Sequence, residues 1–293
     1  MTRRHGDAET RGRDDQASGL RVSASEGHDP KRSGSKSRSR SARLRESATS
    51  RPAPSLITLL TDFGTSDYFV GAIKGVILSI NPHATIVDIT HDIPPQDIGA
   101  AAFTLVSVYR TFPAGTVHVA VVDPGVGSTR RPILALAAEQ FFVGPDNGIF
   151  SYILDREPAA SVFHLTDEQY FRQPVSSTFH GRDLFAPVAA ALAGGVKPEQ
   201  LGDLVNDHIR LPLLAAERSG DGTLTGRILH IDHFGNCITN FTERELTTDL
   251  FHGAMRLTIN GKSLCVTDAP SLRHLLLYEG GALHPRPSNS GNE

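Results

Sequence analysis

Residues Val117 to Arg131 read VHVAVVDPGVGSTRR. Val117–Val122 is an apolar run rich in β-branched residues, which predicts a strand buried in a parallel sheet. The run stops at Asp123-Pro124, and Gly125, Gly127 and Ser128 follow at once. Proline ends the ladder, and glycines let the backbone turn where a Cβ would clash. Arg130 lies seven residues after Asp123, close enough for the loop to fold it back onto the carboxylate. A carboxylate, a guanidinium and open backbone N–H groups at the carboxyl end of a strand are parts of a polar site. The other reading is a strand–loop junction whose Asp–Arg pair only fixes the turn.

Working outward towards the N-terminus, Leu56–Leu60 is a short apolar strand ending in Thr61-Asp62-Phe63-Gly64. Thr65 or Ser66 can cap a helix that carries Asp67 in its first turn and Val70, Ile73, Lys74 and Ile77 beyond. Ala84–Ile89 is the next strand, and Asp97–Phe112 reads as an amphipathic helix. This βαβαβ order predicts a mostly parallel sheet with helices on both faces. Towards the C-terminus, Ile133–Ala138 and Gln140–Gly144 pair as a hairpin, and Asn147-Gly148 is a turn dipeptide. Ile149–Leu154 and Leu184–Ala193 read as helices and Val162–Leu165 as a strand. From Thr223 the pattern becomes alternating: Leu224–Ile231, Cys237–Phe241 and Met255–Ile259 predict a small antiparallel β domain. The expected organisation is a disordered basic tail over residues 1–54, an α/β catalytic domain over 55–210, a β-rich domain over 220–280 and a disordered end over 281–293.

Composition narrows the function. The chain has 293 residues and a net charge of −3. Residues 1–54 hold 13 Lys and Arg against 7 Asp and Glu, leaving −9 on the remainder. So polar a tail cannot bury enough apolar surface to offset its ordering entropy. It could touch nucleic acid weakly, but a solvated tail is the expectation. It has no apolar segment of a secretory signal. No later run reaches the 18 or so apolar residues of a membrane span, so no membrane partner is expected. The two cysteines, Cys237 and Cys265, are too few for a disulfide framework and suit a reducing cytoplasm. No Cys/His cluster has zinc spacing, and no metal site is expected.

Three strand ends, at Asp62, Asp92 and Asp123, place carboxylates on the edge of the sheet where open α/β folds bind ligands. Asp62 can accept the two vicinal hydroxyls of a ribose, or can simply cap a helix. Asn147 can bond a sugar or base, or serve its turn alone. His180, followed by Gly181 and a charged pair, can tune a water or be structural. Asp232, Phe234 and Asn236 can form a platform, a ring to stack on a heterocycle between hydrogen-bonding groups. A Walker A lysine motif and a GxGxxG after the first strand are both missing.

Six segments then carry a resemblance: LTDFGTSDYFVGAIKG (Leu60–Gly75), DITHDIPPQDI (Asp88–Ile98), VDPGVGSTR (Val122–Arg130), GPDNG (Gly144–Gly148), FHGRD (Phe179–Asp183) and IDHFGNCITN (Ile231–Asn240). Together, and in this order, they resemble the S-adenosyl-L-methionine hydroxide adenosyltransferase family, relatives of the fluorinating and chlorinating enzymes. The resemblance covers Leu56 to Gly261. It implies hydrolysis of S-adenosyl-L-methionine (SAM) to adenosine and L-methionine by attack at the ribose C5′, with no cofactor. It implies a homotrimer with each site between subunits. It implies that Asp123, Arg130 and His180 activate the water and that Asp62 holds the ribose diol. It also implies that Asn147 lies near the sugar, and that Asp232, Phe234 and Asn236 line a neighbouring subunit's site. The halide enzymes carry an aromatic hydroxyl residue where Asp123 stands, so this chain resembles the water-using branch. After Asn260-Gly261 the sequence departs from the family pattern and reads as truncated. A non-catalytic adenosine- or SAM-binding protein is therefore the alternative, and a halide-using transferase a weaker one.

Overall fold

The run that begins at Val117 is an inner strand, with all five residues of Val117–Val121 buried. The chain is described here from a computed structural model, for residues 19–24, 55–212, 215–220, 223–241, 255–259, 262–266, 275–279 and 282–284. They fall into two compact units, the smaller holding residues 19–24 and the described residues from 215 to 277, the larger holding 55–212, 278–279 and 282–284.

In chain order the elements are β1 (Gly19–Ala24), β2 (Leu56–Thr61), α1 (Phe69–Ile80), β3 (Thr85–Thr90), α2 (Ile98–Val108), β4 (Val117–Val121), β5 (Pro132–Ala137), β6 (Gln140–Pro145), α3 (Ser151–Arg156), β7 (Ser161–Leu165), α4 (Ala186–Ala193) and β8 (Gly202–Val205). From β2 onward these build the larger unit around a seven-stranded sheet of order β3-β2-β4-β6-β5-β7-β8. The pairs β3/β2, β2/β4 and β4/β6 are parallel. The β5/β6 hairpin reverses the ladder, and β7 and β8 continue it antiparallel. The mostly parallel sheet expected from the βαβαβ order is thus present. Alternation splits each central strand between two layers. Ile57, Leu59, Val117, Val119 and Val121 face one way, into a core with Ile73 and Ile77 of α1 and the alanines of α4. Small residues on α4 let that helix lie close to the sheet. On the opposite layer, Arg156 of α3 donates to the Val106 carbonyl of α2.

Two boundaries differ from expectation. The first helix begins at Phe69, not near Thr65, and no side chain caps it. Residues Thr65–Tyr68 are exposed instead. They carry the chain from Phe63 to Phe69 so that both rings meet Phe179, at centroid distances of 6.1 and 5.2 Å. Ring burial outweighs a capping bond worth about 1 kcal/mol. The second helix starts one residue after Asp97, which caps it by accepting from the Ala100 N–H at 2.8 Å, and ends at Val108.

The smaller unit is built from β9 (Glu217–Arg218), β10 (Leu224–Ile231), β11 (Cys237–Thr239), β12 (Met255–Ile259), β13 (Lys262–Val266) and the first three residues of β14 (Leu275–Glu279). Its sheet runs β13-β12-β1-β10-β11-β14, with β9 also on β10. All pairs are antiparallel except β11/β14. Of residues 1–54, expected to be unstructured, only Gly19–Ala24 are described, and they form β1 between β10 and β12. The sequence Leu20-Arg21-Val22-Ser23-Ala24 alternates with strand period, which the tail's overall composition hid. The rest of that tail, Asn260-Gly261, 267–274 and 285–293 lie outside the described residues; Ala282–His284 is a short strand.

Candidate active site

The carboxyl ends of β2 and β4 open into a cleft of about 420 Å³. Asp62 and Phe63 reach it from the loop after β2, Gln96 from the loop after β3, Asp123 from the end of β4, and Phe179 and His180 from the turn before α4. A parallel sheet delivers successive strand ends to one edge, so residues far apart in sequence converge there. Asp92 does not join them. It is exposed, and its N–H donates to Thr90 Oγ1.

Asp123 and Arg130 are folded together as the sequence spacing suggested. Arg130 Nε donates to Asp123 Oδ1 at 2.9 Å, and its Nη2 donates to Oδ2. The pair is nearly sealed, with side-chain exposures of 8% and 5%. Arg130 Nη2 also reaches His180 Nδ1 at 2.5 Å. The guanidinium has no lone pair to offer, so Nδ1 is the acceptor and the ring proton sits on Nε2. Burial, followed by the Arg130 charge, pushes the His180 pKa down, while Asp123 and Asp183 pull the other way. The neutral Nε2–H imidazole is therefore the favoured form. Arg130 Nη1 is buried without a protein partner among the described residues, and the guanidinium lies over the Phe185 ring at 5.4 Å.

The turn bearing His180 is tightly built. Gly181–Phe185 forms a π-helical turn ahead of α4. Asp183 is fully buried and accepts from Arg182 and Arg172 side chains and from the Ser176 N–H at 2.9 Å. Burial works against its charge, but these donors prevail and hold its pKa low. Ser176 thereby fixes the neighbouring Ser177, whose carbonyl oxygen would lie 2.2 Å from a Cβ on Gly127. Only glycine allows the loop after β4 to pack so closely against the loop before His180.

Asp62 accepts from the Gln96 N–H at 2.8 Å through Oδ2. Gln96 holds a φ of +66°, unusual for a residue with a Cβ. Asp62 is thus no helix cap, and Oδ1 is left for another donor. The Phe63, Phe69 and Phe179 rings give the cleft an apolar wall. Asn147 is held elsewhere: Nδ2 donates to the Val122 carbonyl at 2.8 Å and Oδ1 accepts from the Ile149 N–H. It ties the turn after β6 to the end of β4 and does not line the cleft.

In the smaller unit, Asp232 organises its own loop. Its Oδ1 accepts from the N–H groups of Phe234 and Asn236, and Oδ2 accepts from Asn236 Nδ2. The Asn236 bond is the leading cause of its lowered pKa. This turn leaves the Phe234 ring 83% exposed. Sequence reasoning passed over Gln96 and the aromatic wall. Two phenylalanines within two residues of a glycine, in Phe63-Gly64 and Phe179-His180-Gly181, were the signal for the wall; the left-handed backbone at Gln96 has none. Among the described residues no group of three or more His, Cys, Asp or Glu side chains is placed to hold a metal ion. No helix among them is long and apolar enough to cross a membrane.

Residues 57–202 match the family described as SAM hydroxide adenosyltransferase N-terminal domain. A protein of Salinispora tropica named (R)-S-adenosyl-L-methionine hydrolase is 41% identical over 186 residues, 61% of this chain and 69% of its own. A protein of Actinoplanes sp. named fluorinase is 27% identical over 235 residues, 70% of this chain and 78% of its own. The crystal structure of an uncharacterized conserved protein from Thermotoga maritima superposes with a TM-score of 0.69 at 32% identity, covering 78% of this chain and 90% of that one.

Proposed function

The chain belongs to the SAM hydroxide adenosyltransferase family, and from that premise we propose that it hydrolyses S-adenosyl-L-methionine to adenosine and L-methionine. The observation that carries the mechanism is the Arg130 fork, bonded to Asp123 on one side and to His180 Nδ1 on the other. Two donor groups and one base result. Arg130 Nη1 and His180 Nε2–H hold the oxygen of a water, and the Asp123 carboxylate is the group with lone pairs left to receive its proton. With Nδ1 occupied by Arg130 and Nε2 already protonated, His180 orients rather than abstracts.

Full transfer from water to an ordinary carboxylate spans about 12 pKa units, or about 16 kcal/mol. Free hydroxide is therefore not formed first; the proton moves as the new C–O bond forms at C5′. The C5′–S bond breaks in the same step, and its electron pair neutralises the sulfonium. Opposite charges are cancelled, which a dry site favours. The aromatic wall and the nearly sealed Asp123–Arg130 pair support such a site. Asp62 Oδ1 takes the ribose diol, and in-line placement of water, C5′ and sulfur supplies much of the rate. The sulfonium is its own leaving group and no oxidation state changes, so the reaction calls for no metal or redox cofactor. Asp123 itself favours water over halide as nucleophile.

We assign the working assembly as a homotrimer in the cytoplasm, with Phe234, presented by the Asp232–Asn236 turn, reaching a neighbouring subunit's cleft. The exposure of the Phe234 ring supports that reading. Incubation with SAM, as each sulfonium epimer, followed by chromatography is the test. Adenosine and methionine in equal amounts, with chloride present or absent, is the expected result. Bound but unconverted SAM would reduce the protein to a binding module, and 5′-chloro-5′-deoxyadenosine would make it a halide transferase.

A further inference from the structure

We propose that His91 is a positioning residue for Asp62, holding the Thr61–Gly64 loop in the shape that offers the Asp62 carboxylate to a ribose. The inference rests on the assignment of Asp62 to the ribose diol made above.

His91 is buried, with 4% exposure, and lies outside the group that surrounds the water. Its Nδ1 is 2.8 Å from Thr61 Oγ1, and its buried Nε2 lies 3.2 Å from Asp88 Oδ1, an electrostatic contact whose angle does not make a hydrogen bond. Asp88 in turn pairs with Lys74 of α1 at 2.6 Å. A carboxylate beside Nε2 sets the proton there, so Nδ1 accepts from the Thr61 hydroxyl. That hydroxyl, fully buried, then uses its oxygen to accept from the Phe63 N–H at 3.2 Å. The backbone carbonyl of His91 accepts from the Gly64 N–H at 2.8 Å. Both neighbours of Asp62, and the residue after Phe63, are thus fixed by one histidine. The chain Lys74–Asp88–His91–Thr61–Phe63 runs from the first helix to the residue next to the ribose carboxylate. On the far side, the Gln96 N–H on Asp62 Oδ2 completes the clamp. An apolar residue in the buried His91 site would leave the Thr61 hydroxyl without this acceptor.

The readout is the preference of the full-length protein for adenosine over 2′-deoxyadenosine, measured by calorimetry. Asp62→Ala is expected to erase that preference. His91→Ala is expected to lower adenosine affinity on the order of tenfold, the loss of one buried hydrogen bond, while 2′-deoxyadenosine binding changes little. His91→Asn places an amide oxygen where Nδ1 stood and should restore the preference. His91→Gln places its polar atoms further out, towards the Nε2 position, and should not. If Asp62→Ala leaves the preference intact, the assignment of Asp62 fails. If Asp62→Ala erases it but His91→Ala and His91→Gln keep it, or weaken both ligands equally, His91 is a core residue only and the proposal is overturned. Should His91→Ala fail to fold, the Asn and Gln variants decide the matter between them.

Discussion

Single side chains set the chemistry proposed here. Asp123→Ala, Arg130→Ala and His180→Ala are each expected to lower kcat by 10²-fold or more, the usual scale for a positioned proton-transfer group, with little change in SAM affinity. These groups act on charge that develops at the attacking oxygen, which substrate binding does not use. The losses should not add, because removing one member misplaces the water for the other two. Comparable turnover in any folded single variant would leave the Asp123–Arg130 pair as a loop fastener. The pH profile carries a sign as well. His180 works neutral, and burial and Arg130 depress its pKa below the ordinary 6.5. The acid limb of kcat/KM should therefore fall below pH 6.5, and Arg130→Ala, by removing a repelling charge, should move that limb upward in whatever activity remains.

Strand β4 also carries a stability switch. His118 sits in the middle of β4 and is fully buried. Its Nδ1 meets Thr58 Oγ1 at 2.7 Å, and its Nε2 faces Gln140 Oε1 at 3.3 Å. Gln140 Nε2 is committed to the backbone carbonyls of Tyr109, Phe112 and Pro113. Burial pushes the His118 pKa down to about 4, from 6.5. The unfolded chain binds the proton more tightly, so the contribution is complete above about pH 6.5 and is lost as pH falls towards 4. The loss amounts to about 3 kcal/mol. Urea midpoints across that range should fall with pH, and His118→Gln, less stable at pH 7, should flatten that part of the curve. An unchanged slope in the variant would assign the acid sensitivity to other groups.

The same elements show what the sequence made legible. The β-branched run at Val117 and the terminators Asp123-Pro124 gave the sheet and the site's edge, because strand period and proline chemistry are local. Arg130 was within loop reach of Asp123, so their pairing was readable from spacing. His180 could be joined to them only through the resemblance, since 50 residues separate it from Arg130. The His118–Gln140 network was invisible: a histidine in an apolar run gives no local sign of a partner 22 residues on. Gln96 was equally hidden, because a left-handed backbone is signalled by glycine or asparagine and glutamine is neither. The helix start was misplaced because an aromatic cluster, a tertiary fact, overrode a local capping signal.

For the whole molecule, the proposed assembly makes a prediction that a single subunit cannot satisfy. If Phe234 of one subunit serves the cleft of the next, a His180→Ala protein and a Phe234→Ala protein should both be impaired alone. Mixed and reassembled, they should recover activity, because some clefts then receive an intact contribution from each side. The reassembled particle should weigh three times the 31.5 kDa chain. Activity that stays at the average of the two variants, in a mixture shown to exchange subunits, would place each complete site within one chain.

Turnover of SAM in heavy-oxygen water shows whether water attacks the ribose carbon. Mass spectrometry should find the label on the 5′-oxygen of adenosine, one atom per molecule formed, and none in methionine, since the C5′–S bond is the one that breaks. Adenosine without label, or label carried by the methionine fragment, would rule out attack of water at C5′.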